Sequence, residues 1–297
     1  MIVILNAGAG PASNSADAVR SKLADAFDVA GVSADVIEVH DSDRLLAGIR
    51  KALVAASDTV VAAGGDGTVS AVAGQLAGTN KILGVLPLGT LNHFARDAGI
   101  PLSLDTAVRT LTDGHTELVD VAEVNGRVFI NNSSLGIYPR IVVHRENRQQ
   151  QLNRGKWPAF AWATVLAFRR YPFLRLHICV KGRELDRKTA FLFVGNNEYR
   201  MSGFRIGGRP GLNSGTLGLY LTHQTGRFGL VRTAARALFG RLNQAKDFDA
   251  LSVEEATINW PHKRLLVATD GEVSYMEPPL HYRSRPRALR TIVPGKK

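Results

Sequence analysis

The sequence lacks most of the features that mark exported or metal-binding proteins. Cysteine occurs once, at Cys179, so no disulfide can form within the chain, and we expect a reducing compartment such as the cytoplasm. No cluster of cysteine and histidine predicts a zinc site. Residues 2–5 are apolar but have neither the basic flank nor the length of a signal peptide, and they predict a strand.

Long hydrophobic runs are also missing. The longest mostly apolar run, residues 157–168, has 12 residues. A helix that spans a bilayer needs about 20. We therefore expect a globular protein without a transmembrane segment.

The second part of the chain is poor in acidic residues. Residues 119–297 carry 29 Lys and Arg against 13 Asp and Glu, a net charge of +16, whereas residues 1–118 carry a net charge of −5. The basic part is either a solvated surface or the binding surface for an anionic partner, such as lipid headgroups, nucleic acid or a phosphorylated ligand.

The spacing of apolar residues changes near residue 118. Before it, short β-rich runs alternate with helical patterns, which predicts an α/β domain with a parallel sheet covered on both faces. After it, turn signals such as Asn125-Gly126 join short runs that predict an antiparallel β-sandwich, interrupted by helical segments around 156–170 and 227–246. The strand candidates are 119–124, 127–132, 175–180, 189–194, 215–222, 255–259, 265–269 and 287–293.

A glycine-rich turn, Gly64-Gly65-Asp66-Gly67-Thr68, follows an apolar strand and precedes a helix. Such turns let backbone N–H groups surround phosphate oxygens at a helix N-terminus. A carboxylate at Asp66 would repel bound phosphate unless a cation lies between them, so the turn predicts Mg²⁺ as well as a nucleotide. The alternative is a structural turn in which Asp66 caps the helix.

Two further loops end neighbouring strands. A second glycine turn contains Gly89, Thr90 and Asn92, and the first strand runs into Asn6-Ala7-Gly8-Ala9-Gly10. Ligands of parallel sheets bind beyond the carboxyl ends of the strands. The three loops therefore predict one nucleotide site.

Other nucleotide motifs do not occur: the chain has no G-x-x-x-x-G-K-[ST] and no protein-kinase catalytic loop.

Near the end, Asp270-Gly271-Glu272 follows a predicted strand. A hydroxyl that accepts a phosphoryl group needs a carboxylate to take its proton, and this turn could supply it. By itself such a motif is more often only a hairpin turn.

Taken together, these motifs resemble the diacylglycerol kinase catalytic family, in particular its soluble bacterial lipid kinases. The resemblance runs along nearly the whole chain and also includes Asn131-Asn132-Ser133-Ser134-Leu135-Gly136 and Val194-Gly195-Asn196-Asn197. It implies that ATP and Mg²⁺ bind between an N-terminal α/β domain and a C-terminal β-sandwich. It also implies that residues 1–118, with a returning last strand at about 286–297, bind nucleotide, and that 119–285 bind the lipid substrate.

The resemblance assigns roles residue by residue. Glu272 is the expected proton acceptor with Asp270 beside it, and Asp66 is expected to organise Mg²⁺. Together with the glycine turns, it assigns to ATP the residues Asn6, Ala7, Gly8, Ala9, Gly10, His40, Gly64, Gly65, Asp66, Gly67, Thr68, Val69, Ser70, Ala71, Gly89, Thr90 and Asn92. The implied partners are ATP, a lipid, an anionic membrane surface bound peripherally and a second copy of the chain in a homodimer.

The chain departs from the family pattern at several positions. His93 stands where the family has an acidic residue, and Ser70 and Ala71 stand where it commonly has Asn and Glu. A turn that holds a structural Mg²⁺ in bacterial members is Asn213-Ser214-Gly215 here, which argues against that second metal. These changes are compatible with altered substrate or metal handling, or with a weak or inactive enzyme.

Three other functions compete with a lipid kinase. An NAD kinase shares the first glycine turn, but its Thr-Gly-Ser turn is missing. A nucleotide or lipid sensor would bind ATP without transferring phosphate. A nucleic-acid-binding module would account for the basic charge but not for the glycine turns, and the aromatic pattern of RNA-recognition motifs is missing, so we predict no nucleic-acid partner.

Overall fold

The computed structural model of the protein describes residues 1–6, 16–136, 173–202, 205–206, 208–222 and 248–295, together with Pro139. The predictions that concern Ala7, Gly8, Ala9 and Gly10, and the helical segments at 156–170 and 227–246, lie outside the described residues.

The first unit is a parallel sheet with helices between its strands. Its elements are β1 (Ile2–Asn6), α1 (Ala16–Val29), β2 (Asp35–Val39), α2 (Ser42–Val54), β3 (Thr59–Gly64), α3 (Asp66–Leu76), β4 (Ile82–Pro87), α4 (His93–Asp97) and α5 (Leu104–Asp113). The strand order is β2-β1-β3-β4, and all three pairings are parallel. The carboxyl ends of the four strands therefore lie at one edge of the sheet.

The central strands of this unit are buried on both faces, as continuous apolar runs predict. Residues 3–5 of β1 and 60–63 of β3 have no exposed surface. Helices cover them in contacting pairs, α1 with α5 and α2 with α3. Two helices begin at side-chain caps: Asp41 accepts the N–H of Arg44, and Ser103 accepts the N–H of Thr106.

The second unit is built from antiparallel strands. These are β5 (His115–Val124), β6 (Arg127–Phe129), β7 (Asn132–Gly136), β8 (Leu174–Val180), β9 (Arg183–Thr189), β10 (Phe191–Asn196), β11 (Met201–Ser202), β12 (Arg205–Ile206), β13 (Leu217–Thr222), β14 (Phe248–Val253), β15 (Glu255–Asn259), β16 (Leu265–Thr269), β17 (Glu272–Met276) and β18 (Leu280–Val293). One sheet has the order β14-β13-β10-β7-β16-β17.

The long strand β18 joins the two units. Near its end Arg290 and Thr291 pair in parallel with β4, and most of its length pairs with β5. Its beginning pairs with β15, which continues to β8 and β9. The parallel sheet therefore extends through β18 into one layer of the sandwich.

The two layers of the sandwich enclose a second hydrophobic core. Leu176 and Ile258 from the extended sheet pack in one cluster with Leu192, Leu219 and Val267 from the six-stranded sheet. Alternate residues of each strand point into this core, as expected of two sheets packed face to face. The predicted fold class, an α/β domain with a parallel sheet followed by an antiparallel β-sandwich, is confirmed.

Individual strands differ from the sequence predictions in informative ways. Strands 255–259 and 265–269 have the predicted bounds. The predicted strand 127–132 is divided into β6 and β7, because residues 130–132 turn their amides toward Asp270. Strand β9 was not predicted, since it lies at a sheet edge and its sequence is mostly charged.

Within the residues that the structure describes, no helix has the length and apolar character needed to cross a membrane.

Candidate active site

The two glycine turns follow adjacent strands and touch each other. The N–H of Leu88 donates to the carbonyl oxygen of Gly64 at 2.9 Å. A Cβ atom on Gly89 would lie 2.6 Å from the Cα of Gly65, so any larger residue would push the turns apart. Glycine at position 89 therefore lets the turns form one cradle.

Asp66 fixes the second turn relative to the first. Its Oδ2 accepts the N–H of Asn92 at 2.9 Å, and its Oδ1 accepts the N–H of His93 at 2.6 Å. Asn92 is buried and left-handed, with φ 52°, and its amide group bonds in both directions with the backbone of Gly89. Asp66 thus caps α4 rather than its own helix, and its carboxylate is held in one orientation between the two turns.

The remaining predicted nucleotide residues have different degrees of access. Asn6 ends β1 and donates from Nδ2 to Oγ1 of buried Thr68 at 2.9 Å. Gly67 and Thr90 are exposed. His40 is exposed after β2, with Nε2 3.5 Å from Glu38.

Two residues of α3 have little access to a ligand. Val69 is buried, and its N–H donates to the carbonyl of Gly65 within α3. Ala71 packs partly buried against the core. Neither side chain lies open at the cradle, so a ligand contact would have to involve their backbone.

Asp270 is held by four hydrogen-bond donors. The N–H groups of Ile130, Asn131 and Asn132 donate to its carboxylate at 2.8, 2.9 and 3.0 Å. The hydroxyl of Ser70, on α3 of the first unit, donates to its Oδ2. Burial raises the pKa of Asp270, and these four hydrogen bonds act in the opposite direction. Because its oxygens are occupied, Asp270 is suited to holding the turn rather than to accepting a proton from a substrate.

Glu272 is the accessible carboxylate of the turn. Asp270 and Gly271 both have positive φ, 49° and 89°, which gives the tight two-residue connection between β16 and β17. The side chain of Glu272, 65% exposed, follows this turn and pairs with Arg127 at 2.6 Å. Arg127 also donates to Ser274 at 3.1 Å. A substrate hydroxyl can therefore approach Glu272 from solvent.

The structure brings the acidic turn next to the glycine cradle. Ser70 is four residues after Asp66 on α3, so both side chains lie on the same face of the helix, one turn apart. Through Ser70, the turn at Asp270 is attached to the helix that begins in the cradle.

Sequence reasoning missed a buried network between the units. Arg209 pairs with Asp97 at the end of α4, with Nε 2.7 Å from Oδ2. Its other donors reach the backbone of Ile130 and Asn196 and the side chain of Asn131. The only signal in the sequence was an arginine between Gly208 and Pro210, in a stretch otherwise typical of a loop.

The donor set is suited to a Mg²⁺ ion that binds together with phosphate. Among the described residues, no group of three His, Cys, Asp or Glu side chains is arranged to hold a metal. Mg²⁺ in kinase sites is commonly held by one or two carboxylates, water and substrate phosphates. Asp66 fits this pattern, because within the part of the chain that the structure describes each of its oxygens accepts one hydrogen bond, which leaves a lone pair for a cation.

Ser214, Gly215 and His93, at or beside positions that depart from the family pattern, form hydrogen bonds within the protein. The N–H and Oγ of Ser214 donate to Oδ1 of Asn197 at 2.8 and 2.6 Å. Gly215 donates to Oδ2 of buried Asp120 at 2.6 Å. His93 is exposed, and its backbone N–H is one of the two donors to Asp66.

Comparison with known proteins supports both units. Residues 1–124 match the diacylglycerol kinase catalytic domain, and residues 140–293 match the YegS C-terminal NAD kinase beta sandwich-like domain. A protein of Cronobacter sakazakii named "Probable lipid kinase YegS-like" is 40% identical over 97 residues, which are 31% of this chain and 32% of the relative. A protein of the same name from Citrobacter koseri is 44% identical over 89 residues, 28% of this chain and 30% of the relative.

The curated relatives are matched over about a third of their length. The likeness to solved structures covers the whole fold. A diacylglycerol kinase structure from Bacillus anthracis str. Sterne superposes with a TM-score of 0.73 at 22% identity, covering 98% of this chain and 96% of that one. The family predicted from the motifs is thereby confirmed: the chain belongs to the family that combines a diacylglycerol kinase catalytic domain with a YegS-type C-terminal β-sandwich.

Proposed function

We propose that the protein transfers the γ-phosphoryl group of ATP to a hydroxyl group of a lipid, diacylglycerol or a related molecule, at a membrane surface. Residues 1–118 and the last strand, about 286–297, bind the nucleotide, and residues 119–285 bind the lipid. The observation that carries the proposal is the hydrogen bond from Ser70 to Asp270, which joins the glycine cradle to the acidic turn of the other unit.

On the nucleotide side, the turn at Gly65 supplies backbone N–H groups for phosphate oxygens, and the N-terminus of α3 adds partial positive charge at the same place. The turn at Gly89 supports it, because the N–H groups of Gly89, Asn92 and His93 are bonded to the side chains of Asn92 and Asp66. Mg²⁺, when bound, neutralises charge that develops on the phosphates during transfer, and Asp66 holds it together with the phosphates. Asn6 and Thr68 support the floor of the cradle.

On the acceptor side, Glu272 takes the proton of the lipid hydroxyl. As the oxygen attacks, its bond to the γ-phosphorus forms and the bond from that phosphorus to the β-phosphate oxygen breaks, which releases ADP. Asp270 holds the turn through its four hydrogen bonds. Arg127 lies against Glu272 and has to yield to the incoming hydroxyl, or move with it, during the reaction.

The ion pair between Arg127 and Glu272 also favours a second candidate, an ATP-binding sensor with little or no transfer. A base that stays paired at 2.6 Å with a guanidinium is a weak proton acceptor. The sensor would bind ATP with the same cradle but release no phosphorylated lipid.

Membrane docking is assigned to a patch that we call the distal surface, formed by Phe173, Arg175, Lys188 and Trp260. Arg175 pairs with Lys188 across β8 and β9, and Lys188 Nζ lies 5.3 Å from the centre of the Phe173 ring. A cavity of about 640 Å³ lies between these strands and Trp260. Aromatic and basic side chains of this kind favour the interface of an anionic membrane.

The distal surface and the acidic turn lie at opposite ends of β16. Trp260 belongs to the loop before Leu265, whereas Asp270 follows Thr269. In the proposed mode of binding, the hydroxyl group of the lipid is at Glu272 and the distal surface contacts the membrane near the other end of β16.

The direct test uses radiolabelled ATP and a panel of lipid acceptors in mixed micelles, with NAD and a lipid-free sample as controls. We expect Mg²⁺-dependent label on a lipid and none on NAD. ATP binding without label on any lipid would favour the sensor, and label on NAD would favour an NAD kinase. A preparation of Glu272→Gln, treated in parallel, excludes a contaminating kinase.

A further inference from the structure

The guanidinium of Arg209 is completely buried, with 0% of the side chain exposed. Nε donates to Asp97 at 2.7 Å, and Nη1 donates to the carbonyl oxygens of Ile130 at 2.5 Å and Asn196 at 3.2 Å. Nη2 donates to Oδ1 of Asn131 at 3.1 Å. A buried charge is costly unless it is paired and hydrogen-bonded, and here one counter-ion and three further acceptors surround it.

Arg209 and Asp270 bind opposite sides of the same peptide group. Arg209 donates to the carbonyl oxygen of Ile130, while the N–H of Asn131, in that same peptide unit, donates to Asp270 at 2.9 Å. Hydrogen bonds in such a chain polarise one another and strengthen together. The cation therefore supports the bond that orients the carboxylate of Asp270.

The same guanidinium reaches the nucleotide side through Asp97. Asp97 is the last residue of α4, and the amides at the start of α4 donate to Asp66. One short helix thus has Asp66 at its beginning and the ion pair with Arg209 at its end. Arg209 is in contact with both halves of the site, although it touches neither Asp66 nor Glu272.

We propose that Arg209 is a positioning residue for phosphoryl transfer. It holds the peptide between residues 130 and 131 so that Asp270, and with it the turn that carries Glu272, is presented to Ser70 and the phosphate cradle. The inference rests on the proposed function for its kinetic part, but the link itself is a property of the folded protein.

Lysine cannot reproduce this role. An ammonium group has three donors around one nitrogen, whereas the guanidinium directs five donors from a plane to separated acceptors. Arg209→Lys keeps the charge opposite Asp97 but loses simultaneous contact with Ile130, Asn131 and Asn196. The substitution therefore removes positioning while it leaves the buried carboxylate a counter-ion.

The kinetic test is a double-mutant cycle between Arg209→Lys and Glu272→Gln, with ATP affinity measured directly by binding. We expect Arg209→Lys to lower kcat by about 10–100-fold, which corresponds to loss of hydrogen bonds from a charged donor, with little change in ATP affinity. In the Glu272→Gln background it should lower kcat by less than about threefold, because coupled residues are not additive. Equal losses in both backgrounds would show that Arg209 does not act through the turn.

A second measurement does not depend on activity. Amide hydrogen exchange of residues 130–132 should accelerate by at least about 10-fold in Arg209→Lys, while the amides of β3 keep their protection. Unchanged exchange at residues 130–132 would overturn the proposal even if the protein proves to be an active kinase. If the wild-type protein transfers no phosphate to a lipid, the proposed function is overturned. The hydrogen-exchange result then decides by itself whether Arg209 holds residues 130–132.

Two further variants complete the design. If Arg209→Lys does not fold, Asp97→Asn, which keeps one acceptor oxygen for Nε, is measured by the same two methods with the same expectations. Arg283→Lys is the matched control, because Arg283 also pairs with a carboxylate, Glu123 at 2.5 Å, but does not contact residues 130–132. It should change neither the exchange at 130–132 nor kcat by more than about twofold.

Discussion

The hydroxyl of Ser70 donates a hydrogen bond to the carboxylate of Asp270, 200 residues later in the chain. Ser70 belongs to the helix that begins at the phosphate cradle, and Asp270 belongs to the turn before Glu272. This contact sets how the two halves of the candidate site face each other. It also gives a structural contact to Ser70, which the resemblance assigned to ATP and which stands where the family commonly has Asn.

We predict that Ser70→Ala lowers kcat for lipid phosphorylation by about 10-fold or more, since a hydrogen bond to a charged group contributes about 1.5–3 kcal/mol. Asp270 keeps its three backbone donors, so the fold should persist and ATP affinity should change little. Kinetics and thermal unfolding measure the two effects separately. Ser57→Ala is the control, because Ser57 donates to the carbonyl of Thr59 at the other end of β3. Equal kcat values for the two variants would contradict a role for the contact in transfer.

Glu272→Gln should reduce turnover by roughly 10²–10⁴-fold, the usual range for removing a general base. ATP affinity and thermal stability should stay close to wild type, because the side chain is exposed and lies in the other unit. Glu254→Gln is a matched control, since Glu254 is also exposed and pairs with a basic residue, Lys181 at 3.3 Å. If Glu272→Gln turns over as fast as the wild type, Glu272 is not the proton acceptor.

Asp270→Asn is expected to act on stability as well as on turnover. Asparagine offers one acceptor oxygen and turns an NH₂ group toward donors that now bond to a carboxylate. We expect the unfolding temperature to fall, since a buried network would lose satisfied partners. Thermal unfolding of Asp270→Asn checks this, with Glu272→Gln as the variant that should keep the wild-type melting temperature. If Asp270→Asn also keeps it, Asp270 is not held as described.

Much of the fold follows from the sequence because its pattern is local. Strands β15 and β16 have their predicted bounds, since alternating apolar residues define the first, a short apolar run defines the second, and turn signals lie between them. Strand β9 carries its charges into solvent at an edge, so its sequence pattern is that of a surface segment. The junction through β18 depends on pairing between residues far apart in the chain, which no local pattern records.

The site was predictable where a motif has a fixed geometry. Glycines of the two turns indicated a phosphate cradle, and their contact follows from the adjacency of β3 and β4. The acidic motif alone did not distinguish its two carboxylates, and only the family resemblance named Glu272 as the proton acceptor, because the amides that occupy Asp270 belong to residues 130–132. Arg209 was missed for the same reason: its partners come from three separate parts of the chain, at Asp97, at residues 130–131 and at Asn196.

Asp66→Asn should abolish nearly all Mg²⁺-dependent transfer. The substitution removes the negative charge that would hold the cation beside the phosphates, and it also weakens the cap of α4. Loss of a helix cap typically costs about 1 kcal/mol, so we expect a small fall in the unfolding free energy in addition to the loss of activity. Turnover as a function of Mg²⁺ concentration measures the loss of activity, and chemical unfolding measures the fall in the unfolding free energy.

Asp41→Ala, which removes the cap of another helix, separates the two consequences of that change. Asp41 caps α2 by accepting the N–H of Arg44 at 2.8 Å, and it lies outside the glycine turns. It should lose a similar amount of stability without losing transfer. If both variants keep wild-type turnover, the assignment of Mg²⁺ to Asp66 is wrong.

The distal surface should bind anionic vesicles in a salt-dependent way. Polybasic surfaces gain about 1 kcal/mol for each basic residue near anionic lipid, and salt screens this attraction. We predict that Lys188→Glu weakens binding to vesicles containing phosphatidylglycerol by roughly 5–30-fold at low salt, with little effect on vesicles of neutral lipid. Lys51→Glu, at an exposed position of α2 in the first unit, carries the same charge change and should leave vesicle binding unchanged.

Trp260 should contribute the apolar part of docking. Its ring lies 5.0 Å from that of His262, in a loop whose neighbours Lys263 and Arg264 are exposed. Trp260→Ala should lower activity on vesicles more than on a short-chain acceptor in solution, because only the first reaction needs docking. Tyr275→Ala removes another aromatic ring, 72% exposed but outside the distal surface, and should not discriminate between the acceptors. Equal losses on both acceptors in Trp260→Ala would mean that its ring stabilises the sandwich and that docking occurs elsewhere.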